Sequence, residues 1–74
     1  MAERARQLHE EWKTADALAR DAEMDLARAW DAFFAGRGEP PSTALTTRVS
    51  ELRAAASGKL QSLTEYLARA TKRG

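Results

Sequence analysis

The stretch Gly36-Arg37-Gly38-Glu39-Pro40-Pro41-Ser42 lies almost at the midpoint of a 74-residue chain and is its clearest break in helical pattern. Gly36 suits the left-handed conformation that ends a helix. A proline cannot continue a helix from upstream, but it suits the first turn of a new one. Ser42 or Thr43 would cap that new helix. The stretch therefore predicts a turn over residues 36–41 between two helices.

The residues before the turn predict one long helix, from about residue 2 to residue 35. Apolar positions recur at alternating spacings of three and four residues, which is a heptad pattern with one apolar seam. The seam positions are Ala5, Leu8, Trp12, Ala15, Ala19, Ala22, Leu26, Ala29 and Phe33.

The residues after the turn predict a second helix, from about residue 42 to residue 71. Its seam positions are Leu45, Val49, Leu52, Ala56, Leu60, Leu63, Leu67 and Ala70. Two successive spacings of four at Ala56 and Leu60 predict a stutter, which locally relaxes left-handed supercoiling. An uninterrupted heptad would place Lys59 in the seam instead.

Two helices of similar length joined by a short turn predict an all-α, antiparallel hairpin in a single domain over residues 1–74. Residues 1–35 carry five basic and eight acidic residues, net −3, whereas residues 42–74, which end in a basic tail over 72–74, carry six and two, net +4. Folding about the turn sets Ala19 opposite Gly58, which predicts a close approach of the two backbones there.

A hairpin this small has no enclosed interior. Chains below roughly 80 residues usually need additional stabilisation from a disulfide, a metal ion or a partner chain. The sequence has no cysteine for disulfides, so we expect a homodimer that forms a four-helix bundle. The seam residues of both helices are the predicted dimer or core interface. The orientation of the loops stays open at this point. With loops at opposite ends, the aromatic residues Trp30, Phe33 and Phe34 of one chain would meet Trp12, Tyr66 and Leu67 of the other.

Composition argues against an enzyme. The net charge is +1, and one histidine without cysteine leaves little for a metal site. The sequence offers no set of nucleophile, base and charge stabiliser, so we expect no catalytic residues, no cofactor and no metal. No apolar run approaches the ~20 residues of a membrane span. We expect a cytoplasmic protein, and its richness in alanine and arginine is typical of bacterial proteins.

These observations favour a small structural or interaction protein that acts as an adaptor or regulator. One alternative is a nucleic-acid-binding dimer, an RNA binder for example. It would use a basic stripe on the second helix, made of Arg48, Lys59, Arg69 and Arg73. Another alternative is a chaperone or secretion-system component that contacts a different protein through Trp30 and Phe34, which lie off the strict seam.

In architecture, the layout is similar to the Rop-type RNA-binding hairpin dimers, a resemblance that implies the fold alone. The sequence departs from two secretion-linked hairpin families. Pro40-Pro41 differs from the Pro-x-x-Pro turn of type III needle subunits. Trp30 is followed by Asp31-Ala32, whereas WXG-type proteins have Trp-x-Gly at their turn.

Overall fold

The computed structural model describes residues 2–71, which form two helices, α1 (Ala2–Phe34) and α2 (Thr43–Thr71). Chain order reverses along their contact, since Arg53 pairs with Glu23 and Lys59 pairs with Glu11. The predicted all-α antiparallel hairpin is therefore confirmed. Each helix boundary at the turn lies one residue from its predicted position. The basic tail over residues 72–74 lies outside the described residues.

The end of α1 is a Schellman motif. Gly36 has a φ of 73°, and its amide donates to the carbonyl of Phe33 at 3.0 Å. The amide of Arg37 donates to the carbonyl of Ala32 at 2.8 Å. These two bonds satisfy carbonyls that have no partner within the helix. A glycine at position 36 meets the demand for a positive φ without a steric penalty.

The start of α2 is capped by Ser42, one of the two predicted capping residues. Its Oγ accepts a hydrogen bond from the backbone amide of Leu45 at 3.1 Å, and its carbonyl accepts one from the amide of Thr46 at 3.1 Å. Both prolines lie before the cap, outside the helix. They oppose upstream extension of α2, because the ring of each proline disfavours the helical conformation in the residue before it.

The seam of α1 follows the predicted heptad closely. Leu8, Ala19 and Ala22 are buried, and Ala19 has no exposed surface. The partly buried members of the seam are Ala5, Trp12, Ala15, Leu26 and Ala29. At the loop end Phe33 keeps 36% of its surface exposed, because the hairpin has nothing beyond the turn to cover it.

The seam of α2 keeps the heptad without a stutter, so the predicted stutter was wrong. Leu60 and Leu67 are 44% and 48% exposed, whereas Tyr66, at the heptad position beside Leu67, is partly buried. Lys59, with its side chain 48% exposed, occupies the other heptad position and places its Nζ 3.2 Å from Glu11 Oε1. A lysine fits there because its methylene chain lies along apolar surface while its ammonium reaches the edge. The remaining seam positions are Leu45, Val49, Leu52, Ala56, Leu63, Tyr66 and Ala70.

The predicted close approach at Gly58 was also wrong. A Cβ added at Gly58 would meet no atom within 4 Å, so this glycine faces open space. The tightest point of the hairpin is instead made of alanines, since Ala19, Ala22 and Ala56 are 0%, 6% and 1% exposed. Gly58 comes two residues after the buried Ala56, about 200° around the helix, so it points away from α1.

Candidate docking face

An ion network of Arg53, Glu23 and Asp16 joins the two helices near mid-length, and within α1 the Nε of Arg20 extends it at 2.8 Å from Asp16 Oδ2. The Nε and Nη2 of Arg53 donate to the two carboxylate oxygens of Glu23 at 3.0 and 2.8 Å. The Nη1 of Arg53 donates to Asp16 Oδ1 at 2.8 Å. The pairing with Glu23 is bidentate, the geometry that suits a planar guanidinium. Arg53 thus holds carboxylates from two turns of α1 at once and fixes the register of the hairpin.

The network changes the acidity of its members. Hydrogen bonds from Arg53 hold the pKa of Asp16 below its ordinary value, with a further contribution from the charge of Arg20. The same arginine lowers the pKa of Glu23. Hydrogen bonds to Glu23 and then Asp16 raise the pKa of Arg53. All three groups therefore stay charged at neutral pH.

The network also defines one long face of the hairpin. Asp16, Glu23 and Trp30 are seven residues apart on α1, and Arg53, Leu60 and Leu67 are seven apart on α2. In a heptad-packed pair, residues seven apart lie in one row along the helix. Because Arg53 contacts Asp16 and Glu23, the two rows adjoin. We call this side, with Phe33 and Phe34 beside Trp30, the Arg53 face.

The loop end of the Arg53 face is an aromatic cluster of Trp30, Phe33 and Phe34. The rings of Trp30 and Phe34 stack with centroids 5.5 Å apart, and Phe33 lies 6.1 Å from Trp30 and 5.4 Å from Phe34. These residues are 41%, 36% and 77% exposed. The three rings contact each other and still leave much of their apolar surface in water.

The opposite end of the Arg53 face carries Leu60 and Leu67, both close to half exposed. The next row outward on α2 is uncharged and consists of Thr43, Ser50, Ser57, Thr64 and Thr71. The hydroxyls of Thr64 and Thr71 donate to the carbonyls of Leu60 and Leu67. These hydroxyls are thus satisfied within α2 and do not require water.

The opposite side of the hairpin, the Lys59 face, is built around the pair of Lys59 with Glu11. A shallow, open groove there is lined by Gln7, Glu10, Glu11, Thr14, Ala15 and Lys59. Leu18, 50% exposed, lies seven residues after Glu11 and so in the same row. One ion pair in an open groove gives neither an enclosed cavity nor a converging set of polar groups.

The residues predicted to contact nucleic acid do not form one patch in the described part of the chain. Arg48 and Arg69 are separated by 21 positions of α2, about 31 Å along the helix. Lys59 is paired with Glu11, and the Nε of Arg69 donates to the carbonyl of Glu65 at 3.4 Å. Arg73 lies outside the described residues.

His9 packs beside Trp12, with ring centroids 5.8 Å apart. Within residues 2–71, no three histidine, aspartate or glutamate side chains are placed to hold one metal ion. Across the same residues, neither helix has a segment long and apolar enough to cross a membrane.

The sequence analysis missed Arg53, which is the centre of the network. Its signal was present: Asp16 and Glu23 are seven residues apart on a flank of the first seam, and Arg53 follows the seam residue Leu52. A long cation beside one seam and two carboxylates beside the other indicate a bridge between helices. Apolar periodicity alone does not reveal this polar pattern.

These observations together give a face with apolar ends and a neutralised polar centre, a geometry suited to helix packing. Comparison with protein-family models, with curated proteins and with solved structures gave no match for this chain.

Proposed function

We propose that this chain is a small interaction protein that works as a homodimer, in which two hairpins pack through their Arg53 faces into a four-helix bundle. The observation that carries the proposal is the exposed apolar surface at both ends of that face. Its cellular role is that of a non-catalytic adaptor or regulator, because the described residues offer packing surfaces and ion pairs rather than a reactive site.

The surface area of the hairpin supports this proposal. Its accessible surface is 5633 Å² for a chain of 8.2 kDa. A compact monomer of that mass exposes about 4500 Å², so the hairpin exposes roughly 1100 Å² more. A standard protein interface buries about 800 Å² from each partner. The excess is therefore enough to form one interface per chain.

The shape leads to the same conclusion. The radius of gyration is 17.0 Å and the extents are 59 × 16 × 15 Å. A compact domain of this length has a radius of gyration near 11 Å. A rod only two helices wide covers each apolar side chain from one direction, so packing on a second rod is the direct way to cover the rest.

The distribution of exposed apolar residues indicates which side a partner covers. The large exposed apolar side chains are Leu18, Met24, Trp30, Phe33, Phe34, Leu60 and Leu67. All of them except Leu18 and Met24 belong to the Arg53 face. Covering one large side chain contributes about 1.5–3 kcal/mol. Exposed apolar clusters of this kind, bordered by polar residues on one side of a small protein, are typical of an interface.

The direct test is the molar mass in solution, measured by sedimentation equilibrium at micromolar concentration. We expect twice the chain mass for the wild type. Leu60→Glu should shift the protein to monomer, because it puts a charge on the Arg53 face outside the intrachain seam. Leu18→Glu is the matched control, since Leu18 is equally exposed on the Lys59 face, and it should stay dimeric.

Circular dichroism checks that both variants remain helical. A wild-type protein that sediments as a monomer throughout the micromolar range would overturn the proposal. Loss of the dimer in the Leu18 variant but not in the Leu60 variant would place the dimer contact on the Lys59 face and would overturn the choice of the Arg53 face.

A further inference from the structure

We infer that the two hairpins of the dimer run antiparallel, with their loops at opposite ends, so that α1 packs against α1 of the second copy and α2 against α2. This inference rests on the proposed self-association and adds the orientation, which the sequence left open. Three features of the Arg53 face carry it: the spacing of its apolar ends, the charges of its α1 half and the absence of unpaired charge from its α2 half.

The first feature is the near-symmetrical spacing of the apolar ends about the ion network. The aromatic cluster is centred about 13 residues of α1 beyond the midpoint of Asp16 and Glu23, or about 19 Å. The midpoint of Leu60 and Leu67 is between 10 and 11 residues of α2 beyond Arg53, or about 16 Å. A two-fold axis through the network therefore brings the aromatic cluster of each copy to the level of the two leucines of the other, diagonally across the centre of the bundle.

The second feature is the charge pattern on the α1 half. Arg6, Lys13 and Arg20 are seven residues apart and lie in the row next to the one that holds Asp16 and Glu23. The pairs of Arg6 with Glu3 at 3.8 Å and of Lys13 with Glu10 at 3.9 Å are exposed and contribute little. Arg20, itself 72% exposed, places its Nε 2.8 Å from Asp16 Oδ2.

When α1 faces an antiparallel copy of itself with the two-fold axis beside position 18, between Asp16 and Arg20, position numbers that sum to 36 meet. Lys13 then lies opposite Glu23 of the second copy, and Arg20 lies opposite Asp16. Basic residues thus face acidic residues in both directions across the two-fold axis. This is the charge complementarity that steers association and fixes register.

The third feature is the α2 half, which is almost free of charge. Its outer rows hold Thr43, Ser50, Ser57, Thr64 and Thr71, then Thr47, Ala54, Gln61 and Ala68. The charge in this half is that of Arg53, which Asp16 and Glu23 neutralise. Two such surfaces can pack without burying an unpaired ion, and interface cores are depleted in charged residues in the same way.

The alternative orientation, with both loops at one end, packs α1 against α2 of the second copy. It would lay the basic row of α1 on the uncharged rows of α2, where no carboxylate faces it. It would also crowd both aromatic clusters together at one end and leave only leucines at the other. The opposite-end orientation avoids both problems, because like halves meet.

The absence of cysteine makes the orientation measurable, since a single introduced cysteine takes a single spin label. Ala35→Cys puts the label at the exposed end of α1, beside the loop. In the inferred dimer, the two labels lie about 45–50 Å apart along the bundle. With loops at one end, adjacent or diagonal helices separate them by roughly 15–25 Å, label included.

Double electron–electron resonance measures this distance, and sedimentation of the labelled protein measures its mass. A dimer with the long distance supports the inference. A dimer with the short distance overturns the orientation and leaves self-association intact, whereas a monomer overturns both. Dilution of labelled chains with a tenfold excess of unlabelled wild type is the control, because it must remove any distance that arises between two copies.

Discussion

The two helices bury similar seams but differ in the surface they turn outward. α1 carries 13 charged residues among 33, whereas α2 carries 6 among 29. The charges of α1 surround its seam on all exposed sides. In α2 they leave a broad band of serine, threonine, alanine and leucine from Thr43 to Thr71.

The difference indicates two kinds of contact. The outer surface of α1 has one apolar stripe and charge elsewhere, so in the proposed dimer it meets its copy mainly through charged rows. α2 resembles a helix with neighbours on two sides, of which the hairpin supplies one. The second neighbour in the proposed dimer is a second copy.

Removing a seam side chain of α2 gives the largest expected effect. Leu63→Ala should lower the free energy of unfolding by about 2–4 kcal/mol, because Leu63 is 8% exposed and the shortened side chain leaves a cavity. Urea denaturation followed by circular dichroism measures the loss. Leu18→Ala, the same change at a 50% exposed site, should cost less than about 0.5 kcal/mol. Equal losses of unfolding free energy in both variants would mean that Leu63 is no more buried in solution than Leu18.

Enlarging a seam side chain of α1 gives the next largest effect. Ala19→Leu should cost about 1–3 kcal/mol, because Ala19 has no exposed surface and the added methyls force the helices apart. The matched control is Ala17→Leu on the exposed side of the same helix, expected to stay within about 0.5 kcal/mol of wild type. An unchanged melting temperature for the Ala19 variant would contradict the close contact between the helices.

Replacing the lysine in the seam of α2 tests the uninterrupted heptad. Lys59→Leu should stabilise the hairpin by about 0.5 kcal/mol, since apolar burial replaces a partly exposed ion pair of small value. Thermal melts at high salt and low salt measure the change. Lys59→Gln removes the charge without adding apolar surface, so it should not stabilise. Stabilisation by both variants would show that the gain comes from charge removal.

The smallest expected effect on stability comes from acid, which protonates the carboxylates of the network that joins the two helices. The pKa values of Asp16 and Glu23 are lowered in the folded state from ordinary values of 3.8 and 4.5. The unfolded chain therefore takes up protons first. The stabilisation that these two carboxylates give is fully present at pH values above their ordinary pKa values. It is lost as the pH falls through their lower pKa values in the folded state. The melting temperature, followed by circular dichroism from pH 6 to pH 3, should decline in that acid range.

Arg53→Gln should flatten the decline, because it removes the group that lowers both pKa values. Arg28→Gln, at an exposed position of α1, is the control and should keep the wild-type profile. An acid decline of the same size in the Arg53 variant would assign the effect to other carboxylates.

The helices and the turn were predictable because their signals are local. Gly36 and Ser42 fix helix ends by their own backbone and side-chain chemistry, so one chain segment suffices to locate them. The seam of α1 was predictable for a similar reason, since its heptad spacing runs without a break from Ala5 to Phe33.

The seam of α2 was less predictable, because two registers compete after Ala56. Hydropathy favours Leu60 and Leu67, whereas continuous heptad geometry favours Lys59 and Tyr66. The structure follows the geometry, which packing with α1 imposes and a single helix does not reveal. The same reason hid the role of Arg53, whose carboxylate partners lie 30 and 37 positions away.

The single short connection between the helices also has a consequence for folding kinetics. The pairs that bridge the helices close chain segments of 30, 37 and 48 residues, in order of distance from the turn. The entropy of loop closure rises with the length of the segment that must be closed. If the capped turn forms first, however, each pair adds only a few residues to an existing hairpin. We therefore expect contacts between the helices to form progressively from the turn toward the chain ends. The folding rate should then depend mainly on the residues around Gly36 and Ser42.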